Sequence, residues 1–153
     1  MLYEPREREE KEYVLVEADK ARLVQVISNL LNNAITFTKQ GVISISSSTA
    51  SKVQEIGSSG IDDGGFGKDI VVVRIKDTGV GIDQEIFPRL FSRFISKSYQ
   101  GTGLGLFVSK NIIEAHGGKI WAENNADGKG AAFYFSLPIF KMTSSREALY
   151  RKS

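Results

Sequence analysis

The chain has 153 residues, 41% of them apolar and 25% charged, with a formal net charge of +2. That length supports one domain with a substantial core, while so small a charge gives no electrostatic footing for nucleic-acid or membrane binding. With no cysteine and a single histidine, His116, a disulfide framework, a thiolate zinc site and a multi-histidine metal site are all excluded. Residues 1–11 read as an N-terminal extension, 12–140 as the domain and 141–153 as a polar, basic tail that frays. The charged run from Arg6 to Glu12 follows Met1 closely, so no signal peptide is expected. No apolar run approaches the ~20 residues that span a bilayer.

In chain order, Glu12–Ala18 (EYVLVEA) is expected to form a strand. Asp19 suits an N-cap, and a helix follows to about Lys39, stopped by Gly41. Val42–Ser48 alternates apolar and polar residues as a half-buried strand does. Thr49–Lys68 carries SSG, DDGG and FGK and reads as a long hairpin connection. Ile70–Lys76 is a β-branched run, hence a buried strand, and it delivers Asp77 at its end. Gln84–Phe94 suggests a short helix. Leu104–Ala115 is a second long helix, stopped by His116-Gly117-Gly118. Lys119–Glu123 and Ala132–Leu137 are strands, joined through the turn cluster Asn124–Gly130.

On the first helix, Leu23, Val26, Ile27, Leu30, Leu31 and Ala34 fall within about 140° of one another, a core-facing stripe. Asn29 and Asn33 lie about 40° apart on one shoulder of it, with Thr36 on the same flank and Phe37 between that flank and the core. Asn32 and Ser28 are expected to face solvent. Half-buried amides must find partners, and asparagine has poor helix propensity. Two of them at i, i+4 therefore suit a binding flank as well as a polar shoulder packed on a loop.

Four segments then resemble, in order, the boxes of sensor histidine kinases. Gln25–Thr38 (QVISNLLNNAITFT) is similar to the N box, and Asp77–Ile82 (DTGVGI) to the G1 box. Phe87–Phe94 (FPRLFSRF) is similar to the F box, and Gly101–Phe107 (GTGLGLF) to the G2 box. Ile112–Asn124 matches the segment that usually follows. The resemblance covers about Asp19–Pro138. It implies the catalytic, ATP-binding domain of a two-component kinase. The implied α/β fold is the Bergerat type shared with gyrase: a two-layer α+β sandwich, its mixed sheet carrying helices on one face.

It also implies roles. Asp77 would accept from the adenine amine, with Gly79, Gly81 and Ile82 beside the base and Phe37 against it. Asn33 would hold Mg²⁺ through its side-chain oxygen, a hard neutral ligand, with Asn29 supporting the metal or its water shell. Gly101, Gly103 and Gly105 would let backbone amides face the phosphates, aided by the helix N-terminus near Leu104 and Leu106 and by the Thr102 hydroxyl. Phe91, Arg93 and Lys97 fall in the F box and lid, where Arg93 or Lys97 could reach the terminal phosphate. Asn29, Asn33 and Lys97 are thus the residues nearest the chemistry. His116 is structural, and a protonated ring there would suit the helix dipole.

Two positions depart from the pattern. Thr36 stands where many members carry a phosphate-contacting Lys or Arg, leaving Lys97 or Lys39 to compensate. Ala131 stands where Thr or Ser is common.

The function implied is positioning of Mg·ATP for γ-phosphoryl transfer to a histidine on a separate dimerisation domain. A response regulator would be the indirect partner. The isolated domain would be monomeric and cytoplasmic, and the full protein either membrane-anchored or not. No phosphoacceptor histidine is expected upstream within this chain. The alternatives are a gyrase-like ATP-hydrolysing switch and a nucleotide-binding module without catalysis. Gyrase-like switches carry Glu at the position of Asn29 as general base. An amide cannot take that proton.

Overall fold

The computed structural model describes residues 14–51, 69–95 and 101–140. The elements are α1 (Lys20–Phe37), β1 (Ile43–Ser51), β2 (Asp69–Asp77), a single 3₁₀ turn (Phe87–Arg89), α2 (Gly105–Ala115), β3 (Lys119–Asn124) and β4 (Ala131–Pro138). The N-terminal extension, the tail from Lys141 and residues 52–68 of the long connection lie outside the described residues. Thr49–Ser51, read as the start of that connection, instead continue β1.

The strands form one sheet in the order β1-β2-β4-β3. The expected two-layer α+β sandwich is what forms. Its three pairings among the described residues are all antiparallel, and no parallel pair of the kind a mixed sheet requires is among them. Alternation on β2 and β4 sorts the side chains by face. Ile75 stands opposite Phe133, and Val73 opposite Phe135. These residues meet Val26, Leu30 and Ala34 of α1 and Ile112 and Ile113 of α2 in the core cluster. The predicted α1 stripe therefore holds, with Leu23, Ile27 and Leu31 at its half-buried margins. On the other face Trp121 stacks on Tyr134, their centroids 5.2 Å apart.

Helix α1 begins as its sequence prescribes. The Asp19 carboxylate accepts from the Arg22 backbone N–H at 3.1 Å, satisfying one of the first-turn donors. Helix α2 ends in a Schellman motif: Gly118 N–H donates to Ile113 O, and Gly117 N–H to Glu114 O. Gly117 takes the required left-handed φ of 76°.

Two expectations are corrected. Residues 14–18 are not a strand. Among the described residues their one backbone link to the sheet's end is Phe140 N–H to Leu15 O, 2.7 Å, and a single bond makes no ladder. Gln84–Phe94 is a chain of tight turns rather than a helix. Pro88 has no N–H to give, and apart from Phe87 to Asp83 the neighbouring bonds span three residues: Ile86 to Asp83, Arg89 to Ile86, Leu90 to Phe87, Ser92 to Arg89. Among the described residues no helix is long and apolar enough to cross a membrane.

Candidate functional site

A cavity of about 700 Å³ lies between α1, the turn after β2 and the first turn of α2. That size is ordinary for a small-molecule site. Its lining includes Asn29, Asn33, Phe37, Asp77, Gly81, Ile82, Gly101, Thr102, Gly103, Gly105 and Leu106, together with Leu90, so residues from all four boxes converge. Val80 of the G1 box and Leu90 of the F box, with Ile86 and Phe133 from outside the boxes, add apolar wall.

Asp77 is buried at 4% exposure. Its Oδ1 accepts from Gly79 N–H at 2.8 Å and from Ala131 N–H at 3.4 Å. Two backbone donors thus fix the carboxylate and leave Oδ2 with no hydrogen bond among the described residues. The hydroxyl-free side chain of Ala131 is compatible with this, because it is the backbone N–H at 131 that meets Asp77.

The turn after β2 is held from two sides. Val80 N–H donates to Phe37 O at the end of α1. From the other side the Asn124 amide pairs with both backbone groups of Ile82. Its Oδ1 accepts from Ile82 N–H at 2.7 Å, and its Nδ2 donates to Ile82 O at 2.9 Å. Asn125 Nδ2 donates to Asp77 O at 2.8 Å and to Lys129 O at 2.6 Å. These two asparagines were read only as turn formers. The signal available in the sequence was their adjacency at a strand end, with a buried loop to serve. Asn124→Ala removes two bonds of about 0.5–1.5 kcal/mol each. It is expected to weaken ligand binding at the cavity by about tenfold, and isothermal titration with the purified domain measures it.

The α1 flank is organised differently from its periodic reading. Asn29 Nδ2 donates to Gly105 O at 3.1 Å and to Ser109 Oγ at 3.2 Å, so the nitrogen end of this amide is committed to α2. Asn33, one turn on, has no hydrogen bond among the described residues and lines the cavity half-buried. Asn32 is exposed, as expected, yet it too lines the cavity at its rim. The cavity wraps far enough round α1 to reach it, so Ser28, which lines no part, is the cleaner solvent-side reference. The Thr36 hydroxyl donates back to Asn32 O at 2.7 Å.

Other predicted residues stand elsewhere. Arg93 does not line the cavity: its guanidinium lies 4.6 Å from the Phe107 ring centroid, a cation–π contact. Phe91 packs against the core instead. Gly79 and Leu104 also lie outside the lining, Gly79 being pressed against the Phe37 carbonyl. Lys97 lies outside the described residues, as do residues 96–100 of the lid. No lysine or arginine is among the described residues that line the cavity.

Backbone groups meet His116 at both ring nitrogens. Asp19 N–H donates to Nε2 at 3.1 Å, and Nδ1 lies 2.7 Å from Ile112 O. A backbone N–H can only donate and a carbonyl can only accept, so Nε2 is the accepting nitrogen and Nδ1 the donating one. Protonation would set an N–H against the Asp19 N–H.

Among the described residues no three His, Cys, Asp or Glu side chains gather as a metal-binding group. A cation held here would therefore take most of its ligands from a bound anion and water. The donor set fits that arrangement: among the described residues neither amide oxygen, of Asn33 or of Asn29, has a hydrogen-bond partner, while the Asn29 nitrogen is engaged by α2.

A family model described as histidine kinase-, DNA gyrase B- and HSP90-like ATPase matches residues 18–141. The sensor protein FixL of Bradyrhizobium diazoefficiens is 38% identical over 124 residues, an alignment covering 81% of this chain and 22% of FixL. The sensor histidine kinase WalK of Bacillus subtilis is 30% identical over 129 residues, covering 80% of this chain and 19% of WalK. The chain thus spans about a fifth of these relatives. Among solved structures, the catalytic domain of histidine kinase ThkA superposes with a TM-score of 0.60 at 38% identity, covering 80% of this chain and 70% of that one. Full-length ShkA in complex with AMPPNP gives 0.63 at 28% identity, covering 86% and 24%.

Proposed function

We propose, from the premise that the chain belongs to the histidine kinase-, DNA gyrase B- and HSP90-like ATPase family, that it positions Mg·ATP for transfer of the γ-phosphoryl group to a histidine. That histidine stands on a separate dimerisation domain, and a response regulator receives the group from it. The observation that carries this reading is the pairing across one cavity of a fixed carboxylate and two amides: Asp77 on the sheet side, Asn29 and Asn33 on the helix side. Oδ2 of Asp77 suits an exocyclic amine, and Phe37 and Phe133 suit the apolar faces of a base. The first turn of α2 offers backbone N–H groups to phosphate.

Asn33 and Asn29 would hold magnesium, which when bound supplies neutralisation of phosphate charge. The chain's own residues orient the nucleotide and keep its base dry. Phosphoryl transfer asks for little beyond that positioning and charge stabilisation. In this reading the isolated domain is a cytoplasmic monomer with little turnover of its own. The hydrolytic-switch alternative is disfavoured at Asn29, whose amide has both hydrogens committed to α2 and cannot serve as a general base.

With no cation among the described lining residues, affinity should depend heavily on magnesium. ATP is expected to bind in the micromolar-to-millimolar range, roughly −8 to −4 kcal/mol. Asn33→Ala should weaken binding in magnesium and change it much less in EDTA, while Ser28→Ala does neither. Calorimetry at millimolar nucleotide with no heat of binding defeats the nucleotide reading. A dimerisation domain supplied in trans that gains no acid-labile phosphohistidine defeats the kinase reading.

A further inference from the structure

Ser109 has taken no part in the reading above, yet it is fully buried, at 0% exposure, in the middle of α2. A hydroxyl removed from water needs a partner, and among the described residues its side-chain partner is the Asn29 amide, 3.2 Å away. We propose that Ser109 is a positioning residue for the cation side of the cavity, acting by engaging the second Nδ2 hydrogen of Asn29 and so holding the amide plane in the orientation that the Gly105 carbonyl selects. The inference rests on the reading of the site as one for Mg·ATP.

An asparagine amide is nearly symmetric in shape, and its two ends differ only in donating or accepting. Asn29 sits where α1 crosses α2, with a choice of orientation. Gly105 O, a backbone carbonyl, only accepts, so it selects the nitrogen end at 3.1 Å. That engages one of the two Nδ2 hydrogens. Ser109 Oγ engages the second. With both taken by α2, Oδ1 has no hydrogen bond among the described residues and is left to the cavity that Asn29 lines. A flipped amide would set its oxygen against the Gly105 carbonyl. One acceptor favours the right orientation, and the second removes the remaining freedom about χ2. Packing alone would not ask for a hydroxyl, since alanine fills nearly the same space. A nonpolar residue would also avoid burying an oxygen.

The test compares wild type, Ser109→Ala, Asn29→Ala and the double variant, all checked for folding by thermal melting. ATP affinity is measured by calorimetry in magnesium and in EDTA. Asn29 side-chain amide resonances are followed by NMR without nucleotide or metal. Ser109→Ala is expected to lose about three- to tenfold of the magnesium-dependent gain, the value of one hydrogen bond to a buried amide, and to leave affinity in EDTA unchanged. One Nδ2 proton should move upfield and exchange faster. Ser109→Cys, which keeps a weak acceptor, should recover part of the loss. In the Asn29→Ala background Ser109→Ala should add nothing. An undiminished magnesium gain in Ser109→Ala, unmoved amide resonances, or a loss that adds to that of Asn29→Ala overturns the Ser109 role. A wild type without any magnesium-dependent gain instead overturns the Mg·ATP reading, and the role with it.

Discussion

Gly130→Ala is expected to lower the stability of the domain by about 3 kcal/mol or more and to abolish binding in the cavity. Gly130 has φ of 78°, a region that costs an alanine about 1–2 kcal/mol. The larger effect is contact. A Cβ at this position would stand 2.1 Å from the Asp77 carbonyl oxygen and 2.7 Å from its Oδ1. Backbone cannot rotate away as a flexible side chain can. β2 and the turn before β4 would have to part, taking with them the Ala131 N–H that holds the carboxylate. Gly128 supplies the control, because it shares the positive φ (74°) but has nothing within 4 Å. Gly128→Ala should show the conformational cost alone. Urea unfolding of both variants measures the difference, and similar losses would mean that close approach at Gly130 does not matter.

Asp77→Asn is expected to weaken ATP binding by about 1–3 kcal/mol, roughly ten- to a hundredfold, with little change in stability. The backbone decides the orientation of the new amide. Gly79 N–H and Ala131 N–H both require an acceptor, so the oxygen end stays with them and the –NH₂ replaces Oδ2 at the cavity wall. A donor then meets the exocyclic amine of adenine, itself a donor. Titration with ATP reads the loss. Wild-type affinity in Asp77→Asn would show that this carboxylate does not read the base.

Much of the site was legible because its residues advertise themselves through spacing. The apolar period of α1, the β-branched run of β2 and the glycine clusters each follow from local rules, and Asn29, Asn33, Phe37 and Asp77 do converge. What escaped was decided by distant partners. YVLVEA has the composition of a strand, but a strand exists only by pairing, and residues 14–18 gain just the one bond to Phe140. Helix phase placed Asn32 in solvent correctly and still missed that the cavity reaches its rim. Arg93 carries the right charge for phosphate, but the Phe107 ring, fourteen residues on, provides a nearer seat. The Asn124 pairing spans 42 residues of sequence, and nothing local to Asn124 announces it.

The two cross-links between α1 and α2 have a kinematic consequence. One bridge joins Asp19 to His116, and the other joins Asn29 to Gly105 and Ser109. A pair of rods pinned at one place can still swivel about the pin. Pinned at two places, here about 15 Å apart along α1 by the helical rise, they can neither swivel nor slide. The helices run antiparallel across these bridges, because the start of α1 is fastened to the end of α2 and its middle to the first half of α2. The α1 amides that line the cavity and the backbone of the first turn of α2 therefore travel as one plate. Whatever tilts the entry of α1 turns the whole wall of the cavity without changing its internal spacing.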